Sequence, residues 1–146
     1  MNLNITKTPF GIKPPVTKPI PEFLIEVKEE GIRELIHNHY QKIKTSSIAH
    51  LFPMNEDDLK KAEMNASDFF IQICGGRAYF NENRGAPKMI GRHARFRIDA
   101  KAREVWLELY KPFLLELKEA GVTETSIKSF WDYLDIFSLW MINIQE

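Results

Sequence analysis

Two stretches in the second half of the chain repeat their apolar residues at the spacing of a helix, and no stretch alternates convincingly at the spacing of a strand. Ala102, Val105, Trp106, Leu109, Tyr110, Phe113, Leu114 and Leu117 make one stripe. Ile127, Phe130, Trp131, Leu134, Phe137, Trp140 and Met141 make a second, broader one in a helix expected near residues 125–144. Stripes of this width have to be buried against other helices. The fold class that follows is all-α. Asp99 is placed to cap the first of these helices and Gly121 to end it. Pro112 lies inside it and predicts a kink or a break, because proline lacks the N–H that the helix ladder needs.

The first half continues the pattern. Ile32, Leu35, Ile36, His39 or Tyr40, and Ile43 are spaced as one helical face within residues 30–45. A turn ends at Leu51-Phe52-Pro53, and Asn55, Asp57 and Asp58 offer caps for the next helix. That helix presents Leu59, Ala62, Ala66, Phe69, Phe70 and Ile73, and Gly75-Gly76 stops it. Residues 77–90 have no period and read as a long loop with one turn of helix. Irregular loops of that length in a compact domain usually have a job. Five prolines (Pro9, Pro14, Pro15, Pro19 and Pro21) make residues 1–22 an extended arm that either hugs the domain or hangs loose, and residues 23–146 the folded domain.

The chain of 146 residues suits one domain. Its 20 basic and 20 acidic residues cancel, which leaves no electrostatic footprint for nucleic acid. The single cysteine, Cys74, forms no internal disulfide and reads as a small buried hydrophobe in a reducing compartment. No apolar run spans a bilayer and no signal pattern opens the chain, so the expectation is a cytoplasmic protein without a membrane partner.

Chemistry concentrates at Arg92-His93-Ala94-Arg95-Phe96-Arg97-Ile98, with Trp106 following on a helix. One imidazole beside an aromatic–aliphatic wall, with a tryptophan reaching over from an amphipathic helix, suits a haem site. His93 would bind the iron, Phe96 and Ile98 would wall the macrocycle, and Trp106 would reach the opposite side. No acidic residue lies within a helical turn before His93, so a backbone carbonyl is the expected partner of its second ring nitrogen. The bland readings are also open: His93 as an ordinary histidine, Trp106 and Tyr110 as a core stripe, Trp131 and Trp140 as core or subunit contact. His37, His39 and His50 are expected at the surface or at helix edges, and Asp57-Asp58 as a cap rather than a catalytic pair.

Six features occur together and in order. They are Tyr40; Phe52 before Pro53; Gly75-Gly76; Arg84-Gly85 followed by Pro87; Arg92-His93 with Phe96 and Ile98; and Trp106. From about Gly31 to the end of the last helix this set resembles the truncated haemoglobins, group II most closely. The resemblance implies a two-over-two helical sandwich around one haem b (iron protoporphyrin IX). It implies His93 as the iron ligand, and Phe52, Asn65, Met89, Arg92, Phe96, Ile98, Trp106 and Tyr110 as cofactor contacts. The distal ligand site would comprise Tyr40, Ala62, Ala66 and Trp106. Dioxygen, nitric oxide and carbon monoxide are the implied ligands, and oxygen transport the implied use. A reductase partner and the choice between monomer and homodimer stay open.

The chain departs from the group pattern in several places. The glycine pair usual between the first two helices is missing, with Val27 and Lys28 near its place. Arg95 stands where proline is usual, and Ala62 where a distal histidine is usual. Tyr40 and Trp106 are then the hydrogen-bond donors for a bound gas, and Ala62 and Ala66 leave a path to it. Two rival readings stand beside this one: a haem enzyme that disposes of nitric oxide or peroxide, and a haem-free helical module for protein contacts.

Overall fold

The computed structural model describes residues 1–145. Among them there are helices and no strands: α1 (Pro21–Ile43), α2 (Glu56–Ile73), α3 (Tyr79–Arg84), α4 (Met89–His93), α5 (Ala100–Glu108), α6 (Lys111–Glu119) and α7 (Glu124–Met141), with a 3-10 turn at Ala49–Leu51. α1 pairs with α2, α5 and α6 pair with α7, and α1 packs across onto α6 and α7. The core at that crossing contains Phe23, Ile32, Ile36, Leu107, Leu114, Ile127, Phe130, Trp131 and Leu134. Phe23 stacks on Phe130 with ring centroids 4.5 Å apart. The broad apolar face of α7 is therefore covered from within the chain, which removes the surface that a haem-free contact module would have used.

Local chemistry sets where the helices start and stop. α1 begins earlier than its apolar spacing predicts, because Pro21 occupies its first turn, where a missing N–H costs nothing. Inside α1 the helix breaks at Lys28, whose φ of 66° and ψ of 171° are not helical. Asn55 caps α2: its side-chain oxygen accepts from the backbone N–H groups of Asp57 and Asp58 at 2.8 and 3.1 Å. The two aspartates then sit in the first turn, where the helix dipole favours negative charge. The glycine pair ends α2 for two separate reasons. Gly75 takes a φ of +95°, and a Cβ on Gly76 would stand 2.7 Å from an Ile71 methyl and 2.9 Å from the Ile71 carbonyl oxygen.

One expectation is revised here, and the break expected at Pro112 is met. Residues 77–90 are not one loop; they hold α3 and the start of α4, each too short to show a period. The helix expected from Asp99 to Gly121 is two helices, parted at Leu109–Tyr110, and Pro112 opens the second of them.

The proline-rich arm hugs the domain. Asn4 O accepts the Trp131 indole N–H at 2.8 Å, and Pro14 O accepts that of Trp140 at 2.8 Å. The Thr6 backbone N–H and hydroxyl both donate to the Asp135 carboxylate. Arg103, buried in α5, donates to that carboxylate, to Ser138 and to Thr6 O. Leu3 and Pro19 of this strap are buried. Trp131 and Trp140 thus find their partners within the chain.

Candidate functional site

A cavity of about 550 Å³ opens between α2, the segment from Met89 to Ile98, α5 and the C-terminal part of α7. Each of the twelve positions singled out in the sequence lines it: Tyr40, Phe52, Ala62, Asn65, Ala66, Met89, Arg92, His93, Phe96, Ile98, Trp106 and Tyr110. Apolar walls the sequence reading missed come from Phe69, Phe70, Phe80, Phe137 and Met141. Their signal was present, since all but Phe80 lie on the apolar stripes of α2 and α7. Periodicity shows that such residues face inward and does not show whether they meet a core or a cavity.

His93 ends α4. Its Nδ1–H donates to Met89 O at 2.7 Å, which is the expected backbone partner and fixes the tautomer. The other ring nitrogen is left with a free lone pair. The loop after His93 is held by a residue the sequence reading overlooked. Asn143, just beyond α7, donates to Phe96 O at 2.7 Å and to His93 O at 3.2 Å, and accepts from the Ile98 N–H at 2.9 Å. A lone exposed asparagine near a chain end gives no sequence signal for this.

Another part of the lining is aromatic. Tyr40 is buried and meets Phe52 edge-on with centroids 5.5 Å apart. Burial, helped by nearby Glu63, pushes its phenol well above the ordinary range, so the O–H stays protonated. Trp106 meets Tyr110 edge-on at 5.0 Å. Burial likewise raises the Tyr110 phenol. Neither the Tyr40 hydroxyl nor the Trp106 indole N–H is bonded to another described residue, and neither is a buried orphan. Both are free to meet a guest. Ala62 and Ala66 keep that side low.

The rim is cationic: Lys61 and Arg95 border the cavity, with Asp58 beside them. Arg92 borders it too, yet its guanidinium is engaged elsewhere. It donates to Pro87 O at 2.5 Å, Ala86 O at 3.0 Å and Arg84 O at 3.1 Å, tying the loop before α4 together. Another correction concerns His39, expected at the surface or a helix edge. It is fully buried behind Tyr110 and Trp106, whereas His37 and His50 are exposed as expected. Cys74 is buried, and burial pushes its thiol up to about 12.

Among the described residues no group of three or more His, Cys, Asp or Glu gathers to hold a bare ion. The donor set fits a metal carried in by a flat apolar macrocycle: one imidazole with a free lone pair, apolar and aromatic sides, and free O–H and N–H donors in the same lining. The bacterial-like globin family matches residues 27–143. The chain belongs to that family.

This globin shares the two-on-two fold of the truncated haemoglobins. It is similar to phosphate-bound Hell's gate globin IV, with 32% identity and a TM-score of 0.87 over 97% of this chain and 86% of that one. It is similar to the haemoglobin of the thermophilic phototrophic bacterium Chloroflexus aurantiacus, with 27% identity and a TM-score of 0.73 over 90% of this chain and all of the other. The group II truncated haemoglobin of Bacillus anthracis shares the fold at a TM-score of 0.74 and 24% identity, over 92% of this chain and 96% of that one. A segment of 54 residues, 37% of this chain, is 39% identical to two-on-two hemoglobin-3 of Arabidopsis thaliana and spans 29% of that protein. Globins bind haem and, through it, diatomic gases, and this is the function the family membership supports. No helix among the described residues is long and apolar enough to cross a membrane.

Proposed function

We propose that this globin holds haem b with His93 as its iron ligand and binds dioxygen reversibly, nitric oxide and carbon monoxide being further ligands. The observation that supports this reading is that one cavity is lined by an imidazole with a free lone pair and by two unpaired hydrogen-bond donors. The haem iron supplies the coordination bond to the gas. His93 keeps its free nitrogen on the cavity because Met89 O fixes the other. That acceptor is a neutral carbonyl, so the imidazole is only a moderate electron donor, which suits reversible binding better than cleavage of an O–O bond. Tyr40 and Trp106 donate hydrogen bonds to the gas and slow its escape. Lys61 and Arg95 are free to pair with the haem carboxylates, whereas Arg92, expected as a cofactor contact, spends its guanidinium on loop carbonyls. Arg103, the arginine inside the cavity wall, is committed to Asp135 and supplies no acid to a peroxide. The reading includes oxygen transport in the cytoplasm as a monomer or homodimer.

An absorption spectrum of the reduced protein with and without carbon monoxide tests the first step, and His93→Gly should abolish the change. Stopped-flow release tests the second. Tyr40→Phe and Trp106→Phe should each raise the dioxygen dissociation rate by about ten- to a hundred-fold, the worth of a hydrogen bond to a charged partner. Unchanged release in both variants would discard the two donors.

A further inference from the structure

Among the described residues His39 carries the buried side-chain nitrogen with no partner, and its surroundings give the residue a task. α5 stops at Glu108, and the chain turns tightly at Leu109–Tyr110. The Tyr110 backbone N–H, which in a continuous helix would bond to Trp106 O, bonds instead to Leu107 O at 3.1 Å. The turn therefore strands the Trp106 carbonyl in the protein interior, where an unmet acceptor is costly. His39 Nε2–H, reaching over from α1, donates to that carbonyl at 2.9 Å. This bond fixes the tautomer. It leaves His39 Nδ1 as the buried side-chain atom with no partner among the described residues. An orphan atom is tolerated there in return for a bond made on the other side of the ring.

The same ring organises the wall that faces the cavity. It lies flat on Tyr110, with centroids 3.5 Å apart and planes 16° apart. It meets Trp106 edge-on at 5.3 Å and Tyr40 at 6.4 Å. Both tyrosines and the tryptophan of the cavity thus pack around one imidazole that does not itself line it. A phenylalanine would stack as well and leave the carbonyl unmet. A glutamine would reach the carbonyl and lose the stack.

We propose that His39 is a positioning residue for gas retention: by closing the break in α5 onto α1 it holds the Trp106 indole N–H at a fixed place on the cavity wall. The proposal rests on the functional reading above, so its test has one arm that needs no haem. In that arm the indole N–H resonance of Trp106, assigned with Trp106→Phe, is followed in nitrogen-labelled protein without haem. His39→Phe should shift and broaden it while the Trp131 and Trp140 indole signals stay in place. His39→Gln, which keeps an N–H donor, should restore part of the sharpness. In the loaded protein His39→Phe should raise dioxygen release roughly tenfold, about one lost hydrogen bond at the indole. In a Trp106→Phe background it should add almost nothing, since the two act as a unit.

An unmoved Trp106 resonance in both His39 variants overturns the proposal, as do additive effects in the double variant. If His39→Phe fails to fold, His39→Gln alone decides through the same resonance. Loss of the functional reading looks different: His93→Gly would leave gas binding intact while the His39 effect on the indole persisted.

Discussion

At the scale of the residue, Lys28 shows how a departure from a pattern can leave a shape intact. The truncated haemoglobins that this chain resembles place a glycine pair between their first two helices, and here the break falls on a lysine with a φ of 66° and a ψ of 171°. That region of backbone space is comfortable for glycine alone, and holding another residue there costs about 1–3 kcal/mol. Glycine would relieve the strain and give back about 0.5–1 kcal/mol through the extra freedom of the unfolded chain. Lys28→Gly should therefore stabilise the protein by about 1 kcal/mol, read as a higher urea midpoint with an unchanged slope. A lower midpoint would show that Lys28 is not strained. His39 is the other instructive residue. The helical spacing allowed either His39 or Tyr40 to face inward, and both do. A period tells which face is buried. It is silent on a neighbour that is buried because a remote carbonyl needs it.

At the scale of the element, the long helices were legible because each carries enough turns for a stripe to repeat. α3 and α4 were not, since six and five residues hold too few turns to show one. Part of what positions α4 lies outside it. Asn143 clamps the stretch from His93 to Ile98 with three hydrogen bonds from beyond the end of α7. Asn143→Ala should leave the fold within about 1–2 kcal/mol of its stability, since its side chain is exposed and its bonds are ordinary ones. It should nevertheless speed the loss of haem to a high-affinity apoprotein several-fold, because the ligand's loop is then free to drift. Equal haem-loss rates would mean that the Met89 carbonyl alone fixes His93. His93 and Trp106, to which the proposed function assigns the chemistry, were visible in the sequence. The clamp that aims one and the histidine that aims the other were not, because each acts across more than forty residues of chain.

At the scale of the whole molecule, the buried polar groups set how the fold meets acid. Burial pushes His39 down to about 3, against a smaller upward pull from its bond to Trp106 O. Burial would raise the Asp68 carboxyl, but Arg84 and Arg33 outweigh it and hold the group below its usual value. Both native values lie below the unfolded ones, so in acid the unfolded chain takes up protons that the native protein refuses. Stability is full above about pH 6.5 and drains as the pH falls, at up to about 1.4 kcal/mol per pH unit for each such group. His39 acts first, below its unfolded value of 6.5, and Asp68 only below its unfolded value of 3.8. Urea midpoints should therefore fall between neutral pH and the carboxylate range, and His39→Phe should flatten that part of the profile. A His39→Phe profile as steep as the parent's would place the acid sensitivity elsewhere.

The strap laid over α7 has a consequence in time as well as in space. Its hydrogen-bond partners on that helix lie 109 to 129 positions further along the chain. During synthesis the strap leaves the ribosome well before α7 and, apart from the bond from Arg103 in α5, gains these partners only when that helix follows. A segment made long before its seat on α7 thus settles late, over helices that precede α7 in the chain.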